Sequence, residues 1–238
     1  MLETLRNDVC EANHDLVRHN LVTLTWGNVS GIDREQNLVV IKPSGISYHE
    51  LQPEQMVVVD LDGNTVEGDL RPSSDTATHV LLYRTFSEIG GVTHTHSRYG
   101  TAFAQARREI PCLGTTHADH FHGAVPVTRP LSEEEVHAAY EANTGRVIIE
   151  RFEALDPVAM PAVLVAGHAP FTWGPSARAS VRNAVALEAV AEMAFATQVI
   201  AHDAPKLEAY VLEKHYQRKH GPAAYYGQAA SGASRDSS

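Results

Sequence analysis

The stretch Gly90-Gly91-Val92-Thr93-His94-Thr95-His96-Ser97 limits what this chain can become more than any other. Its β-branched run after a Gly-Gly break predicts a strand, so His94 and His96 project from one face and Thr95 from the other. Two imidazoles side by side on a rigid strand can ligate one divalent metal. On its own, a His-Thr-His triplet is more often polar strand filler. Its company favours the metal: Asp75 stands upstream at a predicted helix start, and His168 stands downstream at the end of an apolar run. Three imidazoles and a carboxylate suit zinc or a similar borderline cation. Three imidazoles with one open position is the pattern of a catalytic rather than a structural zinc, with Asp75 as fourth ligand or as a base beside the metal. The rival ligand set is His117, His120 and His122, in a predicted loop that is a less rigid platform. The chain has 14 histidines, so some clustering is expected by chance.

The charge balance narrows the partners. A formal net charge of −10 argues against a nucleic-acid binder, whose phosphate target rewards Lys and Arg. A phosphorylated small molecule needs only a local nest of donors and is not excluded. Cys10 and Cys112 make no disulfide framework. No run reads as membrane-spanning, and the N-terminus lacks the apolar core of a signal peptide, so a cytoplasmic protein is expected.

Helical spacing marks residues 2–19, 76–87, 99–106, 132–144 and 176–200, and a last helix from Pro205 to Gly221. In the second of these, Ala77, Val80, Leu81 and Phe86 form the apolar stripe. Strands are predicted at 38–41, 56–61, 65–67, 92–96, 110–113, 147–149 and 162–165, with a hairpin at Asp62-Gly63-Asn64 and a polar loop at 115–123. Interleaved helices and strands with hairpin signals give one α/β domain whose sheet is at least partly antiparallel. The Ala/Ser/Gly-rich end, 229–238, reads as a disordered tail.

Three short segments, Gly27-Asn28, Ser44-Gly45 and Ser73-Ser74, place small donors beside a glycine or a helix start, and Lys42 can add a positive charge. Each alone is a turn or a cap. Together they could form a phosphate nest, provided the fold makes them converge. No P-loop or dinucleotide fingerprint is present. A metal beside such a nest suggests chemistry through an enediolate, which needs proton carriers. Asp119 is one candidate. Tyr226 is another, although Tyr225-Tyr226 read from the residues alone is a packing anchor.

Seven motifs in order resemble the class II aldolase/epimerase superfamily. They are the run from Asn20 through Trp26-Gly27-Asn28 to Ser30, Lys42-Pro43-Ser44-Gly45, Pro72-Ser73-Ser74-Asp75-Thr76, His94-Thr95-His96-Ser97, Gly114 to Asp119, Lys214-His215-Tyr216, and Arg218-Lys219-His220-Gly221 with Tyr225-Tyr226-Gly227-Gln228. The resemblance covers residues 1–228 as one domain and leaves 229–238 as the tail. It implies a central antiparallel-rich mixed sheet flanked by helices, in a homotetramer with active sites at subunit interfaces. Asp75, His94, His96 and His168 would hold the metal, usually zinc, with manganese or cobalt as alternatives. Gly27, Asn28, Lys42, Ser44, Gly45, Ser73 and Ser74 would bind a phosphorylated ketopentose. Asp119 and Tyr226 would be the acid/base pair, the tyrosine reaching a neighbouring subunit's site.

The implied reaction interconverts L-ribulose 5-phosphate and D-xylulose 5-phosphate by retro-aldol cleavage and re-addition. The superfamily's sugar-phosphate aldolases carry Glu where this chain has Asp75, so the shorter Asp favours the epimerase branch. An aldolase that releases the aldehyde, or a non-catalytic metal-stabilised oligomer, are the other readings. His120 and His122 depart from the family by replacing aromatic residues expected beside Asp119.

Overall fold

Near-continuous burial along the strands, with successive side chains on opposite faces, builds a sheet with a core on each face. The computed structural model describes residues 2–225. Its strands are β1 (Asn28–Asp33), β2 (Leu38–Ile41), β3 (Val57–Asp60), β4 (Thr65–Glu67), β5 (Gly91–His94), β6 (Ala162–Leu164) and β7 (Pro170–Gly174). The helices are α1 (Glu3–Arg18), α2 (Thr76–Thr85), α3 (Arg98–Gln105), α4 (Thr115–Ala118), α5 (Glu133–Arg151), α6 (Ala177–Ile200) and α7 (Ala209–His220). The strands form one sheet in the order β4-β3-β2-β1-β5-β7-β6. Every pairing between these strands is antiparallel. The mixed character expected of the sheet reduces, among the described residues, to one isolated parallel bridge between Val127 and Leu164.

Val40 and Val58 point to one face and join Val29 under Val9 and Leu16 of α1 and Val181 and Ala184 of α6. Val39, Ile41, Val57 and Val59 point to the other and meet Val80, Leu82 and Tyr83 of α2 and Ile148 of α5. The Gly-Gly break before β5 has a packing cause. A Cβ on Gly90 would overlap the Pro175 carbonyl, and one on Gly91 the backbone of Ser176 and Ala177. The start of α6 therefore seats directly on the sheet beside the histidine strand. By length and composition α6 is apolar enough to cross a bilayer, yet Ala177, Ser180, Val181, Ala184 and Leu187 are buried within this fold.

Several expectations change in three dimensions. Residues 147–149 are helical, not a strand. The Ser132–Glu135 capping box starts α5, and Val147 and Ile148 bury on its inner face, so packing overrides β-branched propensity. Residues 110–113 make only an isolated bridge from Ile110 to Val125. The polar loop at 115–123 contains α4, and β7 arises in a Pro-Phe-Thr-Trp-Gly run that carries little alternation. The inner face of α2 is Thr76, His79, Val80 and Tyr83, while Ala77 is exposed. Met193 and Phe195, which the helical spacing of 176–200 makes available for burial, lie about half exposed, because Leu187, Val190, Ala191 and Ala194 take the buried face of α6. The last helix begins at Ala209 rather than Pro205.

Arg34 closes the C-terminal end of α2. Its guanidinium donates to the carbonyls of Tyr83 (2.8 Å), Phe86 (2.9 Å) and Ile89 (2.8 Å), satisfying acceptors that the helix end leaves open. Arg34→Ala is expected to lower stability by about 2 kcal/mol, read as a shift of the urea midpoint at constant slope. An unshifted midpoint would show that these carbonyls do not need the guanidinium.

Candidate metal centre and phosphate pocket

His94 ends β5, and His96 follows two residues later on the same face; their Nε2 atoms lie 3.1 Å apart. His168 arrives from the turn before β7, and one ligand atom from each of the three rings lies within 4.8 Å of the others. A carbonyl can only accept, so the 3.0 Å contact from His94 Nδ1 to Pro170 O is an N–H donated by the ring. That fixes the tautomer and leaves the His94 Nε2 lone pair aimed into the trio. Burial holds all three rings in the neutral form that ligation requires. It pushes His94 down, and, with neighbouring imidazoles adding to it, carries His96 and His168 to about 4. The donor set therefore fits a divalent cation.

Asp75 lies at the N-cap of α2 without capping it; its Oδ2 accepts from Asn28 Nδ2 at 2.6 Å. Burial pushes its carboxyl up, but His94, His79 and the Asn28 amide outweigh that, and it sits below the ordinary value. Asp75 faces the same cavity as the imidazoles but is not a member of the close three-ring group.

The three donor segments converge for identifiable reasons. Asn28 pairs with His94 across β1 and β5, which carries Gly27-Asn28 to the metal ligands. Gly27 has φ +80°, and a Cβ there would lie 2.7 Å from His94 O, so only glycine makes this approach. Ser44 N donates to Arg71 O (2.9 Å) and Ser73 N to Lys42 O (3.0 Å), a short bridge that ties the Lys42–Gly45 loop to the Ser73–Asp75 turn. Asn28 Nδ2 also donates to Ser73 Oγ at 3.0 Å, and Tyr48 Oη donates to the carbonyls of Trp26 and Gly27. The result is one cavity of about 600 Å³, lined by Gly27, Asn28, Lys42, Ser44, Gly45, Ser73, Ser74, Asp75, His94, His96 and His168.

Lys42 is almost wholly buried. Its ammonium donates to Ile46 O (2.8 Å) and lies 4.9 Å over the Tyr48 ring, and burial lowers its pKa to about 8. Its charge is present below that value and lost as pH rises through it. In the free protein, kcat/KM for a phosphorylated substrate is therefore expected to fall above about pH 8. Lys42→Met should lower kcat/KM and flatten that limb; an unchanged limb in the variant would assign it to another group.

Sequence reasoning missed Tyr140 and Glu141, which also line the cavity. They follow a break in α5 at Ala139 (φ −166°, ψ 78°), where Asn143 Nδ2 donates to the Glu135 carbonyl and enters the helical ladder. No proline or glycine marks that kink. Tyr140 Oη lies 3.4 Å from His168 Nδ1. Trp26, half exposed, lines the same cavity.

Asp119 does not line this cavity. It ends α4, and its carboxylate accepts from Arg218 Nε (2.9 Å) and Nη2 (2.6 Å) and from His215 Nδ1 (3.1 Å) of α7. Burial raises its pKa, but Arg218 and His215 outweigh that and hold it below the usual value. The rival histidines are engaged one by one. His117 donates to Gly123 O, His120 meets Lys219, and His122 meets Glu213. They form no ligand group among the described residues. Tyr226 and the expected tail, 229–238, lie outside the described residues.

An antiparallel sheet between helical layers, with a three-histidine group lining a donor-rich cavity, defines the class. Residues 7–195 match the class II aldolase and adducin N-terminal domain, and the chain belongs to that family. It is 54% identical over 227 residues to L-ribulose-5-phosphate 4-epimerase UlaF of Salmonella paratyphi C (strain RKS4594) and to that of Salmonella choleraesuis (strain SC-B67), spanning 95% of this chain and 100% of each relative. Among solved structures it resembles an L-fuculose 1-phosphate aldolase (TM-score 0.76, 25% identity, 90% of this chain and 95% of that one). It also shares the fold of YgbL from Klebsiella pneumoniae (TM-score 0.68, 24% identity, 90% and 99%).

Proposed function

We propose that the chain is an L-ribulose-5-phosphate 4-epimerase, interconverting that sugar phosphate and D-xylulose 5-phosphate. The observation that carries this reading is the single cavity shared by the three imidazoles and the donors of residues 27–28, 42–45 and 73–75. The full-length similarity to the two Salmonella epimerases supplies the substrate. A cavity of about 600 Å³ suits a ligand of pentose phosphate size.

His94, His96 and His168 would hold the cation, zinc with manganese or cobalt as alternatives, and Asp75 would stand beside it. Bound there, the metal supplies Lewis-acid stabilisation for the negative charge that develops as the bond between carbons 3 and 4 breaks. Ser44, Gly45, Ser73, Ser74 and Lys42 would bind the phosphate, and Gly27 and Asn28 the sugar beside it. One proton carrier takes the proton of the carbon-4 hydroxyl as the carbon–carbon bond breaks, leaving glycolaldehyde phosphate as the two-carbon fragment. Its bonding electrons remain on the three-carbon fragment. The aldehyde turns over and is attacked on its other face, and a second carrier protonates the new carbon-4 oxygen. Asp119 and Tyr226 would be these carriers.

Because Asp119 stands outside the cavity of its own chain, we place it in the cavity of a neighbouring copy, within a cytoplasmic homotetramer whose active sites lie at subunit interfaces. The domain is taken as 1–228, with 229–238 as a tail.

The L-fuculose 1-phosphate aldolase likeness supports a second reading, cleavage with release of the aldehyde. Product analysis separates the two. Metal-loaded protein given L-ribulose 5-phosphate should accumulate D-xylulose 5-phosphate with little free glycolaldehyde phosphate, and a chelator should stop it. Escape of dihydroxyacetone and glycolaldehyde phosphate would make the protein an aldolase. No turnover would remove this substrate.

A further inference from the structure

We propose that Phe171 is a positioning residue for the metal ligands, a fully buried ring that sets the orientation of His94 and His168. The inference rests on reading the three histidines as a metal centre. Phe171 sits on β7 directly opposite His94 of β5 in the antiparallel register, and it is fully buried. Its ring stacks on the His94 imidazole with centroids 4.2 Å apart and planes 19° from parallel. The His168 ring meets the same phenyl edge-on at 6.4 Å and 75°. Two of the three ligands thus bear on one apolar plane. His96 has no contact of this kind with Phe171 among the described residues; outside the trio it meets the half-exposed Trp26, 6.1 Å away.

The need for such a plane follows from torsional physics. The χ2 angle of histidine is an sp³–sp² torsion with a broad minimum, so the imidazole does not hold its own orientation. Rotation about χ2 swings the Nε2 lone pair away from a cation. For His94 the hydrogen bond to Pro170 O fixes one edge of the ring, and the Phe171 face removes the remaining tilt. Residues 168–171 therefore supply a ligand, an orienting carbonyl and an aromatic floor from one short segment. His79 meets the same phenyl ring edge-on at 6.0 Å and 69°. His79 is wholly buried, and its Nδ1 is bonded to Ser30 Oγ at 2.7 Å. This fourth imidazole is not part of the three-histidine group.

The test is cobalt titration of apo wild type, Phe171→Met and Val163→Ala, read by binding isotherm and by the visible d–d spectrum. Methionine keeps apolar volume but presents no plane. Val163 pairs with Phe171 from β6 and controls for a purely structural loss. Phe171→Met should bind cobalt about 10–100-fold more weakly and with altered bands. Val163→Ala should melt lower yet keep the wild-type spectrum and affinity. Phe171→Tyr, which retains the ring face, should recover much of the affinity. Phe171→Leu replaces the methionine variant if that variant does not fold. Equal affinity and identical spectra in wild type and the variant lacking the ring overturn the inference alone. A wild-type protein that takes up no cobalt overturns the metal reading and this inference with it.

Discussion

Asp119→Asn is expected to cut kcat by about 10²–10⁴-fold while bound metal stays at the wild-type level. Asparagine preserves size and one acceptor but cannot carry a proton. The carboxylate is also the seat of α7, which buries none of its residues and is held to the α4 region by polar contacts. Besides the Arg218 and His215 bonds, His220 donates to Asp119 O at 2.8 Å and His122 pairs with Glu213 at 2.9 Å. A loss of activity alone could therefore come from a loosened helix. Mixing settles the origin. Asp119→Asn and His94→Ala chains, each inactive alone, are unfolded and reassembled together. If Asp119 serves a neighbour's imidazoles, a mixed site is intact wherever an Asp119→Asn chain supplies the histidines and a His94→Ala chain supplies the carboxylate. Random assembly then restores about a quarter of wild-type activity. No recovery would assign Asp119 to its own chain, and an unchanged kcat in the single variant would remove it as a proton carrier.

What could be read in the sequence divides along a physical line. The shared side of His94 and His96 follows from the two-residue period of extended chain, a local property, although β5 itself ends at His94 and His96 lies just beyond it. The donors at 27–28, 44–45 and 73–74 are recognisable as turn and cap residues. Their convergence was not local, for it depends on the Pro43–Pro72 bridge and on the reach of the Asn28 amide to Ser73 and Asp75. Tyr140 and Glu141 could not be found by pattern, because they follow a kink at Ala139 that no proline or glycine marks, in a stretch that otherwise reads as ordinary helix. Phe171 was hidden differently. A five-residue strand bounded by proline and glycine resembles a turn until β5 and β6 flank it. Residues 147–149 failed for the converse reason, since a β-branched triplet reads as strand although a capped helix buries it equally well. The resemblance to a family supplied roles; the separation of Asp119 from the imidazole cavity of its own chain emerged only from the three-dimensional arrangement.

His94→Ala should abolish metal retention and with it all turnover. Its Nε2 is the ligand atom whose tautomer is fixed, by the bond to Pro170 O, and its ring rests against Phe171. The alanine leaves His96 and His168 as a pair and opens the cation to water, so zinc should fall from one per chain to below about a tenth after gel filtration. Thermal melting gives a second readout. For wild type, free zinc at a thousand-fold excess over its Kd should add about 4 kcal/mol of stability, and in the variant that increment should vanish. Each protein is compared with its own metal-free form, because removing a buried ring also destabilises the fold directly. His120→Ala and His122→Ala should retain full zinc, since those rings face Lys219 and Glu213 rather than one another. Full zinc in His94→Ala, or its loss in the His120 and His122 variants, would move the metal from the strand to the loop and dismantle the proposed reaction with it.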